Sequence, residues 1–215
     1  MTDYAQQLQA IGDTARALLS QTFTAREQAL TLCREVVQKS ALAIRSAHRQ
    51  HYEEARRHLA QAQERLQRID GLLHAHPDVY YAGFVEDAQK EFAEASVVVA
   101  VLTGMPIPHF ADLKVGVAPY LNGLGEAVGE LRRAVMDALR QGDMERCQAL
   151  LEVMDDIYAL LITVDFPDGM TGGLRRTTDA TRAILERTQG DVALAQRMHA
   201  LERHLSRLEG GVGEG

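Results

Sequence analysis

Two pairs of glutamates stand out for their spacing. Glu91 and Glu94 are three residues apart, with Asp87 one turn before them, so a helix would project all three from one face. Glu126 and Glu130 are four apart and share a face with Gly123, Ala127 and Ala134. Those neighbours have almost no side chain, which lets a second backbone, an ion or a phosphate come close. The first pair runs into the nearly continuous apolar stretch from Ala95 to Val101. An acid at the edge of such a run is costly unless it is paired, protonated or bound to a cation. If the two segments are helices packed side by side, four carboxylates converge. Like charges that close raise one another's pKa unless a divalent cation neutralises them, and an all-oxygen set suits Mg2+ or Mn2+ rather than Zn2+. The same spacings also fit solvated surface acids, two of them offset by Arg132 and Arg133. A separation of about 4–6 Å between the Glu91 and Glu126 carboxylates would favour the metal site.

Basic groups are distributed unevenly. Arg26, Arg34, Lys39, Arg45, His48, Arg49, Arg56 and Arg57 crowd the first quarter of the chain, whereas the segment from Asp78 to Asp168 is strongly acidic. Arg45, His48 and Arg49 fall on one helical face, and Arg34 lies three turns earlier. They form either a track for a phosphate backbone or a solvated basic face. Thr171-Gly-Gly-Leu-Arg175-Arg176 opens a helix whose free N–H groups and arginines suit a phosphate, a carboxylate or an intersubunit ion pair. The formal net charge of −7 argues against a nucleic-acid partner only on average, because the basic stripe is local. The other histidines make no ligand pair at helical spacing. Gly123-x-Gly125-x-x-x-Gly129 lacks the spacing and the preceding strand of a dinucleotide fingerprint.

These groups need a scaffold, and the composition points to helices. Of the 215 residues only 5% are aromatic and five are proline, while Ala, Leu, Arg, Glu and Gln dominate. Apolar residues keep helical spacing from Asp3 to about Arg49 (Leu8, Ile11, Leu18, Leu19, Leu30, Cys33, Val37, Ile44) and again from Tyr52 to Leu73. Further helices are expected at about Val79–Thr103, Pro119–Gln141 and Asp143–Val164. Thr171, as N-cap, opens one to Thr188, and Gly190-Asp191 starts a last one to about Leu208. The expectation is an all-α, single-domain bundle over residues 1–209, with a frayed tail at 210–215. Apolar surface on the last three helices exceeds what one bundle needs to cover, so association is expected. No leader or membrane span is legible, and Cys33 and Cys147 read as reduced thiols, which together imply a cytoplasmic setting.

Four stretches, in order along nearly the whole chain, resemble the translin family. The tail from Asp165-Phe-Pro-Asp-Gly to Gln189-Gly-Asp is similar to its prokaryotic members, and Arg34 to Arg49, ending Ile44-Arg45-x-x-His48-Arg49, to its first helix. Lys90-Glu-Phe-Ala-Glu-Ala95 resembles the acidic motif of translin-associated factor X. Tyr120-Leu-x-Gly-x-x-Glu126-x-x-Gly-Glu130-Leu-x-Arg133 resembles the second acidic motif of that protein. The resemblance implies a seven-helix α-α fold, a hollow octamer-like homo-oligomer, and binding of single-stranded RNA or DNA. It also places Glu91, Glu94 and Glu126, with Glu130 beside them, on the acidic set of a Mg2+-dependent endoribonuclease. Glu126 stands where the family has an aspartate, one methylene shorter. A non-catalytic nucleic-acid-binding shell is the alternative that the family offers.

Overall fold

Asp3 starts the first helix: its carboxylate accepts a hydrogen bond from the Gln6 N–H at 3.2 Å, satisfying one of the donors that a helix start leaves free. The computed structural model, which describes residues 3–211, carries this helix unbroken as α1 (Tyr4–His48). Then follow α2 (Tyr52–Leu73), the single turn α3 (Pro77–Tyr80) and α4 (Gly83–Leu102). A second short turn, α5 (Phe110–Leu113), leads into α6 (Val117–Gln141) and α7 (Met144–Leu161). A third, α8 (Asp168–Thr171), precedes the long α9 (Leu174–Gly211). Among the described residues there is no strand, and the architecture is all-α.

α1 and α2 form an antiparallel hairpin against one side of α4; α6 packs on the other side of α4 and is itself covered by α7 and α9. This order explains the composition of the two central helices. α4 buries Phe92, Ala93 and the run Ala95–Ala100 because it has neighbours on nearly every side. α6 buries Leu124, Val128, Leu131 and Val135 on one stripe and Gly123, Ala127 and Ala134 on another. Gly142, at φ +73, ends α6 in the left-handed conformation that glycine adopts without strain, and Asp143 then caps α7.

Several boundaries differ from expectation. The third helix is two, because Ala82 is extended and separates α3 from α4. The expected sixth and seventh helices are one. Gly190 does not break α9, since Arg132 on α6 donates to Thr188 Oγ1 at 2.9 Å and Asp191 Oδ2 at 2.8 Å and clamps the helix on both sides of the glycine. Thr171 is not an N-cap; it ends α8, buried, with its hydroxyl on the Pro167 carbonyl. Of the expected tail, residues 210 and 211 continue α9, and 212–215 lie outside the described residues. The early stripe on α1 is helical but uncovered: Leu8, Ile11, Leu18 and Leu19 are exposed, and burial begins at Ala25. Leu194, Met198 and Leu201 are similarly bare on α9. Cys33 and Cys147 are buried and unpaired, and burial pushes the Cys33 thiol up to about 11. No described helix is long and apolar enough to cross a membrane.

Candidate metal centre

The acidic faces of α4 and α6 meet. Gly123 makes this possible, because a Cβ there would stand 2.7 Å from the Lys90 carbonyl oxygen and 3.0 Å from the Glu94 backbone nitrogen. The two backbones therefore touch at the turn that carries Glu91 and Glu94. Gly125 serves the same purpose toward α9, where an added Cβ would collide with Thr177 Cγ2. These are the glycines that superficially suggested a nucleotide loop; they are close-packing positions between helices.

As a result Glu91, Glu94 and Glu126 each offer a carboxylate oxygen, all within 4.8 Å of one another. In an octahedral Mg2+ site at 2.0–2.1 Å, ligand oxygens lie about 2.9 Å apart when adjacent and about 4.1 Å apart when opposite. Rotation of flexible glutamate side chains spans the difference, so the donor set fits a hard divalent cation in number, charge and element. Among the described residues this is the one such group of ligating side chains.

The electrostatics carry the mark of crowded acids. Burial, reinforced by the charges of Glu91, Glu126 and Glu130, raises the Glu94 carboxyl to about 8. Glu91 is also raised, by burial first; the neighbouring Lys90 opposes the shift, while Glu126 and Asp87 add to it. Lys90 supplies a positive charge within the cluster. Its Nζ lies 2.7 Å from Glu126 Oε1 and 4.0 Å from Glu91 Oε1. Burial alone would lower the Lys90 pKa, but the hydrogen bond to Glu126 and the surrounding carboxylates outweigh it and leave it raised.

Glu130 is the acid that the structure does not bring to the group. Its Oε2 lies 2.6 Å from Nε2 of His48, and Arg133 is 3.8 Å away. The His48 hydrogen bond is the main reason that its carboxyl is held below the usual glutamate range. An ionised carboxylate only accepts, so Nε2–H is the donor. His48, expected on a phosphate track, is thereby withdrawn from it: its side chain is only 5% exposed and bridges α1 to α6. Arg34 and Arg45 remain exposed on α1, and Arg49 is exposed at its C-cap.

Arg175 is exposed, 3.8 Å from Asp165. Arg176 instead lines a cleft of about 490 Å³ with Glu94, Gly125, Glu126, Thr177, Ala180, Thr181 and Ile184. Glu94 and Glu126 thus open onto a hollow walled by α9, with an arginine at its edge. Sequence reasoning assigned no role to Lys90 or to the α9 threonines. The signal for Lys90 was there: it lies at i−1 and i−4 from two acids and at i+3 from Asp87.

Known proteins share this architecture. Over 86% of the chain, with 34% identity and a TM-score of 0.81, it matches AfC3PO in a complex with duplex RNA, covering 96% of that chain. A further crystal structure of AfC3PO matches at 34% identity and a TM-score of 0.80, over 86% of this chain and 97% of that one. Apo-NeC3PO has the same fold at 18% identity and a TM-score of 0.77, with 85% of this chain and 96% of that one covered. A Methanocaldococcus jannaschii protein, MJ0175, is 29% identical over 191 residues, 88% of this chain and 84% of its own. No family model matches the chain.

Proposed function

The chain belongs to the translin family, and from that premise we propose that it is a metal-dependent endoribonuclease acting on single-stranded RNA. The observation that carries this reading is the convergence of Glu91, Glu94 and Glu126 within 4.8 Å beside an open cleft. These three side chains would hold Mg2+ or Mn2+, which when bound polarises a phosphoryl oxygen and lowers the pKa of a water. Arg176, at the edge of the cleft, offers a bidentate fork to the phosphate of a strand lying there. Arg34, Arg45, Arg49 and Arg175, all exposed, would hold the phosphate backbone elsewhere on the surface. The AfC3PO complex with duplex RNA supports RNA as the ligand. The exposed apolar stripes of α1 and α9 support assembly of several copies into an octamer-like shell.

The test is cleavage of labelled RNA oligomers, single-stranded and duplex, with Mn2+ or with chelator. Glu91→Ala is expected to lose cleavage by about 10²-fold or more while staying folded, and chelator to abolish it. Cutting that ignores both changes overturns the nuclease.

A second reading, a non-catalytic RNA-binding container, has one observation in its favour: Lys90 already places a positive charge on Glu126. It requires retention of RNA without turnover. In either reading, Arg45→Ala with Arg49→Ala, and separately Arg176→Ala, should weaken RNA retention on all sequences. Each lost phosphate contact should reduce the slope of log affinity against log salt by about 0.7–1. Unchanged retention and slope in both variants would leave a helical scaffold with no nucleic-acid role.

A further inference from the structure

The acidic face of α4 contains one lysine, and its ammonium is inside the cluster rather than in solvent. Lys90 is 24% exposed, bonded to Glu126 across the helix interface and within 4.0 Å of Glu91. Two of the three carboxylates that would ligate a cation therefore already have one. A dication and an ammonium cannot both sit close to Glu126 Oε1 without repelling each other strongly in such a partly buried place. The ammonium ends a flexible four-carbon stem, so it can leave while the helix stays. The carboxylate it would leave lines the cleft that Arg176 borders.

Building on the metal-site reading above, we propose that Lys90 is a resident counter-ion that a divalent cation displaces from Glu126, and that the freed ammonium then binds a phosphate of the RNA strand in the Arg176-bordered cleft. Cation loading and RNA capture are thereby coupled. In the empty site Lys90 neutralises Glu126; in the loaded site it adds positive charge where the strand lies. By linkage the coupling is reciprocal, so bound RNA also tightens the cation.

Titration calorimetry with Mn2+ alone, and filter retention of a 2′-O-methyl RNA oligomer with and without Mn2+, separate the steps. Lys90→Met is expected to bind Mn2+ about tenfold more tightly than wild type, and Lys90→Arg, which keeps the charge, to stay near wild type. Adding Mn2+ should raise wild-type affinity for the oligomer by about tenfold and that of Lys90→Met by much less. Lys90→Gln is a second neutral variant should Lys90→Met fold poorly. If wild type binds Mn2+ and neither neutral variant binds it more tightly, Lys90 is not a competitor and the proposal is overturned. Tighter Mn2+ with an unchanged RNA gain overturns the phosphate step. Absence of Mn2+ binding to wild type sinks the metal-site reading itself, and this proposal with it.

Discussion

In chelator at pH 9, Glu94→Gln should melt well above wild type, and at pH 4 the two should melt together. In the folded chain the Glu94 carboxyl titrates near 8, well above its ordinary value of 4.5, chiefly because it is buried and secondarily because Glu91, Glu126 and Glu130 surround it. A group raised by folding contributes its stability while protonated. That contribution is complete below about 4.5 and is lost as pH rises toward and through 8. Glutamine keeps the neutral form at every pH, so the difference between variant and wild type grows across that window. A shift of this size in a half-buried group, discounted for screening, corresponds to about 2–3 kcal/mol, or roughly 5–10 °C in Tm for a chain of this length. Cation binding shows the opposite preference. Mn2+ must replace the Glu94 proton, so wild-type affinity should rise by about tenfold per pH unit up to near 8, whereas Glu94→Gln should bind weakly and without that slope. Thermal scans and calorimetry over pH 4–9 check both halves. A melting difference that stays constant with pH would mean that Glu94 is not held protonated by its surroundings.

The candidate site was half legible in the chain. Helical spacing shows which residues share a face, and it pointed to Glu91 with Glu94 and to Glu126 with Glu130. It cannot show which of two acids on one face meets the neighbouring helix. His48, 82 residues away, settles that by taking Glu130. The far end of α2 was readable because His76-Pro77-Asp78 stops it, whereas the turn before it rests on Gln50 at φ +62, a position that no glycine or proline announces. The join within α9 was misread because a helical glycine costs only about 1 kcal/mol, which the Arg132 clamp on Thr188 and Asp191 offsets. That contact is non-local and leaves no periodic trace. The first half of α1 teaches the converse: Leu8, Ile11, Leu18 and Leu19 repeat as a packing stripe does, yet nothing among the described residues buries them. Periodicity reports a face fit for burial and not the identity of what buries it.

Gly123→Ala should cost about 1–3 kcal/mol of stability and weaken Mn2+ binding by tenfold or more, although no ligand is altered. The new methyl carbon would lie 2.7 Å from the Lys90 carbonyl oxygen, 3.0 Å from Ala93 Cβ and 3.0 Å from the Glu94 nitrogen. Two of those atoms are backbone, so relief requires α4 and α6 to separate at the turn bearing Glu91 and Glu94. Carboxylates that now converge within 4.8 Å would then be drawn apart. A cation that demands near-ideal octahedral geometry tolerates such a change poorly. Gly129→Ala is the control on the same helix: there a Cβ meets only Ile184 Cδ1, at 4.0 Å. That substitution removes the conformational entropy of a helical glycine and should stabilise by about 0.5–1 kcal/mol, with Mn2+ affinity unchanged. Thermal denaturation and Mn2+ calorimetry on the two variants together distinguish separation of the helices from a general effect of alanine on α6. Equal behaviour of the pair would show that α4 and α6 are not in backbone contact at Gly123, and the three glutamates would then have no shared place to hold an ion.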